Sequence, residues 1–188
     1  MISADGPTTD AWPTPRGVVL VEGESDRIAL ETLAARCGRD LAAEGVVVVA
    51  IGGAQAVARA LSGYTGLRVA GLYDIGEERA VLRGLKRAGV AADGFFACDP
   101  DLEGELVRAL GPERMLELIS SRGQLGPFET YRKQPAQRAK PLEAQLHGWL
   151  HNWKVRYAAA LVEALELDRV PRPLAGALDW IEPTRLPT

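Results

Sequence analysis

The chain of 188 residues has few of the features that mark several common classes of protein. Its two cysteines, Cys37 and Cys98, are isolated, so neither a disulfide framework nor a CxxC metal site is expected. No apolar run reaches the ~18 residues that a membrane span requires. Residues 1–15 lack a basic start and an apolar stretch, which argues against a secretory signal and predicts a disordered tail. These absences predict a cytoplasmic protein of about one domain that does not enter a membrane.

Short apolar runs bounded by glycine alternate with segments of helical character up to residue 111. The predicted strands cover residues 17–21, 46–51, 67–73 and 94–98, and the predicted helices cover 26–37, 54–61, 77–88 and 102–110. This alternation is typical of βαβ units around a parallel sheet. We therefore expect an α/β, Rossmann-like core over residues 16–111, with about four parallel strands flanked by helices.

The pattern changes after Gly111. A short helix over 114–120, a polar and basic segment over 123–140, and a long helical stretch over 144–165 follow, the last with a break predicted near Gly148. Residues 112–170 are therefore expected to form a basic, mainly helical extension. Pro171, Pro173 and Pro183 predict an extended C-terminal tail over residues 171–188.

Acidic residues follow three of the four predicted strands. They are Glu22 and Asp26 after the first strand, Asp74 after the third, and Asp101 and Glu103 after the fourth. The carboxyl ends of parallel strands meet at one edge of a sheet, where ligands bind. Crowded carboxylates repel one another unless a cation neutralises them, and oxygen ligands suit Mg²⁺. Each acid alone could equally cap a helix, but three clusters at the same strand ends favour a metal site.

Several motifs resemble those of Toprim domains. Residues 18–26 form an apolar strand that ends in Glu-Gly with an Asp a turn later, like the opening motif of the family, and 52–53 and 71–74 match its next signatures. Within this family the chain resembles the OLD nucleases, named for overcoming lysogenisation defect. Residues 101–106 resemble their third acidic motif, and residues 153–158 resemble their C-terminal lysine motif.

The resemblance implies a Toprim fold and hydrolysis of DNA phosphodiester bonds with Mg²⁺ or Mn²⁺. It implies metal ligands at Glu22, Asp26, Asp74, Asp101 and Glu103. Catalytic roles are implied for Glu22 and Asp74, and for Lys154 in steadying charge on the phosphate. One ion would activate water while a second would stabilise the leaving oxygen.

Two departures from the family pattern bear on activity. Toprim enzymes usually carry Asp-x-Asp at the third strand, and Gly76 stands here in place of the second Asp. Glu77 or Glu78 has the reach to replace it, and Glu77 is included among the expected metal ligands. OLD proteins also carry an ATPase, but this sequence has no GxxxxGK[ST] loop, so any motor would be a separate subunit.

Basic residues are concentrated between residues 122 and 156, a region named here the basic stretch. The expected DNA-binding residues are Arg122, Arg132, Lys133, Arg138, Lys140 and Arg156. Because the net charge of the chain is only −3, a local patch of this kind is needed to bind phosphates. The alternative is a solvated helix face without a ligand.

Aromatic and histidine side chains lie among these charges. Phe128, Tyr131, Trp149 and Trp153 have two interpretations, stacking on unpaired bases or, more commonly, anchoring the core. His147 and His151 have a spacing that can bind zinc, but no third ligand is near in sequence, so a solvated helix face is favoured.

The sequence therefore supports a metal-dependent nuclease acting on DNA. The main alternative is a catalytically degraded Toprim module that binds DNA or a repair protein, and Gly76 is the feature that favours it. A primase-like polymerase is a third hypothesis, disfavoured because no zinc-binding module accompanies the domain. The partner is expected to be DNA, with a separate ATPase subunit, a repair protein or a homodimer left open.

Overall fold

The computed structural model describes residues 15–182 and contains one parallel sheet in the order β2-β1-β3-β4. The strands are β1 (Gly17–Val21), β2 (Val46–Ala50), β3 (Arg68–Asp74) and β4 (Phe95–Cys98). The four predicted strands are confirmed, with shifts of one residue at some ends.

Helices connect and cover the strands. They are α1 (Glu24–Arg36), α2 (Val57–Leu61), α3 (Glu78–Ala88), α4 (Leu102–Ser121), α5 (Leu125–Arg132), α6 (Leu142–Leu150), α7 (Lys154–Ala164) and α8 (Arg172–Ile181). Short 3-10 turns over Ala54–Ala56 and Ile75–Glu77 lead into α2 and α3, and a third covers Leu167–Arg169. The fold is thus the expected Toprim-like α/β architecture with a mainly helical C-terminal part.

Both faces of the sheet are covered by helices. Alternate residues of a strand point to opposite faces. Val19 and Val21 of β1 join a core formed with α1, α4, α7 and α8, whereas Val18 and Leu20 pack with α2 and α3. Every residue of β1 is buried, which explains why the strand is an unbroken apolar run without polar alternation.

Helix α4 contains a kink at the boundary predicted between the core and the extension. Gly111 has φ 77° and ψ 162°, a left-handed backbone that glycine adopts readily, and Pro112 follows it. The two helices predicted on either side of Gly111 are therefore present, and they follow one another directly across this kink. Leu106 before the kink and Met115 after it belong to the same hydrophobic core, so packing is continuous across this boundary.

The helical extension differs from the prediction in two places. The polar segment over 123–140 contains α5, whose Phe128 is fully buried. The break predicted near Gly148 is present but lies a few residues further along, because Gly148 is within α6 and the helix is interrupted at residues 151–153. Gly148 has a packing role: a Cβ there would lie 2.5 Å from the Tyr131 hydroxyl oxygen.

The prediction of an extended chain from residue 171 is wrong, because α8 begins at Arg172 and packs against β3 and β4. Pro171 is the N-cap of this helix, and Pro173 lies in its first turn, where proline removes no helical hydrogen bond. The buried residues of α8 are Leu174, Ala177, Leu178 and Ile181. The remainder of both predicted tails, residues 1–14 and 183–188, lies outside the described residues.

Between residues 15 and 182, no helix has both the length and the apolar character needed to cross a membrane.

Candidate metal site at the sheet edge

The topology creates a crevice between the carboxyl ends of β1 and β3. After β1 the chain passes through α1 to β2 on one side, whereas β3 lies on the other side of β1. Helices α1 and α3 cover opposite faces of the sheet. Ligands of open α/β sheets bind at such a switch point. Glu22 directly follows β1 and Asp74 ends the neighbouring β3, so both carboxylates lie beside this crevice.

The fourth strand and two helix N-termini bring the other acids to the same edge. Cys98, the last residue of β4, pairs with Asp74, and Asp101 follows three residues later. Asp101 caps α4, because its Oδ1 atom accepts a hydrogen bond of 2.8 Å from the Gly104 backbone N–H. The Oδ2 atom of Asp26 accepts one of 2.7 Å from the Gly23 backbone N–H. Asp26 and Asp101 can therefore cap their helices and still belong to the acidic cluster, since each cap occupies only one oxygen of the carboxyl group.

We call the set of Glu22, Asp26, Asp74, Asp101 and Glu103 the acidic edge. Burial, together with the negative charges of Glu22 and Asp26, raises the pKa of Asp74 to about 7. Burial also raises the pKa of Asp26 to about 6. The hydrogen bond from Gly23 opposes this shift, and the negative charge of Glu103 adds to it. The pKa of Glu22 is raised by burial and by Asp26. Ionised carboxylates at this edge are thus held at a cost in free energy.

Lys154 is the cation that the fold brings to the acidic edge. It is the first residue of α7, and its Nζ atom lies 4.0 Å from Oε1 of Glu103, which is 6% exposed. Its positive charge lowers the pKa values of Glu22 and Asp26, opposing the effect of burial. One lysine beside five carboxylates leaves this edge with an excess of negative charge.

The donor set fits a hard divalent cation. In the positions that the side chains occupy, no three Asp, Glu, His or Cys residues among residues 15–182 come close enough together to hold a metal ion. The carboxylates nevertheless offer oxygen ligands alone, and the buried Oε2 atom of Glu22 has no hydrogen-bond partner. A buried carboxylate oxygen without a partner is unfavourable, and a cation is one means of satisfying it.

The two acids that could replace the one missing at Gly76 have different surroundings in the structure. Glu77 is half-buried and raises the pKa of Glu22 through its negative charge. Glu78 is exposed and hydrogen-bonds the Tyr73 side chain, whose pKa is raised by burial and by this acid. Glu77 therefore faces the acidic edge, whereas Glu78 is engaged on β3. A Cβ at Gly76 would meet nothing within 4 Å.

The structure places the cations of the basic stretch in different surroundings. Lys133, Arg138 and Lys140 are exposed, as expected for residues that bind phosphates. Arg132 instead forms an ion pair of 2.9 Å with Glu129 and donates to the Gln145 side chain at 2.7 Å. This side chain therefore has a structural role within the helical extension.

The remaining two arginines of the basic stretch lie against aromatic rings. Arg122 stacks over Tyr157, and Arg156 stacks over Trp153 at 5.1 Å from the ring centroid. Both arginines remain exposed. Arg156 belongs to α7, the helix that carries Lys154, and Arg122 donates a hydrogen bond to the backbone of that helix.

The aromatic side chains form a cluster in the core of the extension. Phe128 and Trp149 are buried with ring centroids 5.6 Å apart, so stacking of these two on bases is wrong. Tyr131 and Trp153 are partly buried and pack against Trp149. These rings anchor α5 to α6, in agreement with the alternative interpretation.

His147, within α6, and His151, its C-cap, do not act as a pair. His151 is exposed, but Nε2 of His147 lies 2.8 Å from both carboxyl oxygens of Asp101. The expectation of a solvated face is therefore wrong for His147. Sequence reasoning missed this contact because 46 residues separate the two side chains and no local pattern links them.

Comparison with known proteins identifies the class of domain. Residues 15–75 match the family model "Overcoming lysogenization defect protein-like, TOPRIM domain". The chain therefore carries a Toprim domain that resembles the one of OLD proteins.

Two solved structures extend the likeness over most of the chain. The C-terminal region of the Burkholderia pseudomallei OLD protein aligns with a TM-score of 0.65 and 22% identity, covering 89% of this chain and 97% of that one. The C-terminal region of the Xanthomonas campestris pv. campestris OLD protein aligns with a TM-score of 0.65 and 24% identity, covering 89% and 92%. At these identities the likeness establishes a shared fold. No curated protein matches the chain.

Proposed function

We propose that this protein is a divalent-metal-dependent nuclease that hydrolyses DNA phosphodiester bonds at the acidic edge. The observation that carries the proposal is the burial of Glu22, Asp26 and Asp74 at the topological switch point, which, together with the charges of neighbouring acids, raises the pKa of each. Structural ion-pair networks also shift pKa values, but here the neighbouring groups that raise them are acids, as in sites that hold cations. The OLD-like Toprim domain, a nuclease type of domain, supports the same function.

Each part of the site has a separate role in this proposal. Mg²⁺ or Mn²⁺ bound there would supply an activated water and neutralise charge on the phosphate. Glu22, Asp26, Asp74, Asp101 and Glu103 would hold the cations, with Glu77 in place of the acid missing at Gly76. Lys154 would contact the phosphate under attack and steady the negative charge that develops on its oxygens. Its side chain is 43% exposed, so a DNA strand can reach it.

The basic stretch would hold DNA beside the acidic edge. Arg156 lies two residues beyond Lys154, and Arg122 donates a hydrogen bond of 3.2 Å to the Arg156 backbone oxygen. These two exposed arginines would contact phosphates near the reaction, whereas Lys133, Arg138 and Lys140 would contact the strand further away. The contacts would be electrostatic and independent of base sequence.

A second candidate is a non-catalytic Toprim module that binds DNA or a repair protein. It is favoured by Gly76 and by the spacing of the carboxylates, which do not converge on one point as they stand. We prefer the nuclease because burying carboxylates without compensating charge costs free energy, and a site that no longer bound a cation would gain nothing in return.

The test is incubation of the purified protein with supercoiled plasmid in Mg²⁺ or Mn²⁺, with Glu22→Gln as the control. We expect slow nicking that is faster with Mn²⁺, because Mg²⁺ requires near-ideal octahedral geometry that an incomplete acidic set supplies poorly. Nicking by the wild type at the rate of Glu22→Gln would indicate contamination. The binding-module hypothesis would then replace the nuclease.

A further inference from the structure

His147 contacts the acidic edge from the helical extension. It lies on α6, which packs against α4, and its Nε2 atom is 2.8 Å from both Oδ1 and Oδ2 of Asp101. A carboxylate that ligates a cation accepts hydrogen bonds but cannot donate them, so in that state Nε2 carries the hydrogen. The imidazole N–H is therefore shared between the two oxygens and occupies the position in front of the carboxyl group.

The two oxygens of Asp101 differ in their other partners. Oδ1 also accepts the backbone N–H of Gly104 at 2.8 Å, whereas among residues 15–182 the Oδ2 atom accepts from His147 alone. Gly104 also packs closely against Pro100, since a Cβ at Gly104 would lie 2.7 Å from Cδ of Pro100. Oδ2 is thus the oxygen with free lone-pair capacity, and the carboxyl group is fixed in orientation from two sides.

We propose that His147 is a positioning residue that presents Asp101 to a divalent cation through Oδ2 alone. With Nε2 between the oxygens, both oxygens of Asp101 cannot chelate one ion, and single-oxygen ligation remains. Small octahedral ions such as Mg²⁺ and Mn²⁺ accept this mode, whereas Ca²⁺ often takes both oxygens of a carboxylate. His147 would therefore favour the smaller ions. This inference rests on the proposed metal site, which it extends to ion selectivity.

The experiment measures Mn²⁺ and Ca²⁺ binding by calorimetry on the full chain, without DNA. We expect His147→Ala to weaken Mn²⁺ binding about 10-fold, as for other residues that orient a metal ligand. The Ca²⁺ affinity of His147→Ala should fall less, so the ratio of Mn²⁺ affinity to Ca²⁺ affinity should decrease. His147→Gln places an amide N–H at a similar reach and should restore Mn²⁺ affinity to within about threefold of wild type. His151→Ala, an exposed histidine one turn away, should bind both ions like the wild type.

Each other outcome overturns the idea. Wild-type Mn²⁺ affinity in His147→Ala would remove the positioning role, and equal losses in His147→Ala and His147→Gln would show that a donor is not what matters. If His147→Ala fails to fold by circular dichroism, His147→Asn, whose amide is too short to reach Asp101, takes its place. Failure of the metal site itself would look different, because Asp101→Asn and Glu22→Gln would then also bind Mn²⁺ like the wild type.

Discussion

The acidic edge and the basic stretch are both charged, but the fold treats their charges differently. Carboxylates of the acidic edge are buried or half-buried beside one another, and Lys154 is the cation that contacts them. The other cations of the basic stretch are exposed to water, stack on aromatic rings or, for Arg132, pair with Glu129 within the helical extension. Desolvated like charges raise the free energy of the folded protein, whereas solvated charges hardly affect it. Uncompensated burial, more than the number of charges, marks the site that requires a ligand.

The largest effect on activity should come from removing the cation of the acidic edge, and removing an exposed cation of the basic stretch should have a much smaller one. Lys154→Ala should lower the nicking rate at saturating DNA about 100-fold, because removing a preorganised charge at a reacting phosphate typically has such an effect. Lys140→Ala should leave that rate within about twofold and weaken only DNA binding, since this exposed cation has no contact with the acidic edge among the described residues and would contribute to affinity alone. The measurement is the nicking rate against DNA concentration. Equal losses in both variants would show that Lys154 is simply another DNA-binding cation.

DNA affinity should depend on the basic stretch by a smaller factor. Replacing Lys133, Arg138 and Lys140 with Ala should weaken duplex binding about 10-fold at low salt. It should also reduce the slope of log affinity against log salt by up to about 3, since each lost phosphate contact removes about 0.9. Fluorescence anisotropy at several salt concentrations measures both quantities.

The matched control for this triple variant is Arg83, Lys86 and Arg87→Ala, three exposed cations of α3 whose loss changes the net charge equally. If the slope of log affinity against log salt falls equally in both triple variants, DNA binding depends on the overall charge of the protein. The effect of the basic stretch would then not be specific.

Much of the acidic edge could be predicted from sequence because its information is local. An apolar run bounded by glycine predicts β1, and the position of Glu22 at its end follows from the alternation of strands and helices. The contact of His147 with Asp101 could not be predicted, since it depends on how α6 packs on α4. The helix α8 was missed for another reason: Pro171 and Pro173 indicate helix initiation as well as extended chain, and tertiary packing against the sheet decides between them.

The pH dependence of stability should distinguish the acidic edge from exposed acids. The folded-state pKa of Asp74 is raised to about 7 from its ordinary value of 3.8, mainly by burial. Its contribution to stability is therefore fully present below about pH 4 and is lost as the pH rises through about 7. In EDTA, the wild type should melt at a lower temperature at pH 8 than at pH 5, and Asp74→Asn should be the more stable protein at pH 8 by a few degrees.

Glu143→Gln is the matched control, because this acid is exposed on α6, and it should melt like the wild type at both pH values. Millimolar Mn²⁺ should raise the melting temperature of the wild type at pH 8, since a ligand that binds only the folded state stabilises it. An Asp74→Asn protein with the full pH dependence of the wild type would show that another group is responsible.

The smallest effect concerns the acid missing at Gly76. Because a Cβ there meets nothing within 4 Å, Gly76→Asp should fold normally and add a carboxylate near Asp74 and Glu77. We expect Mn²⁺ affinity to rise about threefold and Mg²⁺-dependent nicking to approach the Mn²⁺-dependent rate, since a fuller oxygen set satisfies the stricter geometry of Mg²⁺. Glu77→Gln should lower Mn²⁺ affinity, whereas Glu78→Gln should not, because Glu78 is bound to Tyr73. If Gly76→Asp instead weakens Mn²⁺ binding while Glu77→Gln has no effect, the acids after β3 lie outside the metal site. The site would then reduce to the carboxylates at the ends of β1 and β3 and at the start of α4, and single-ion chemistry would be the simpler mechanism.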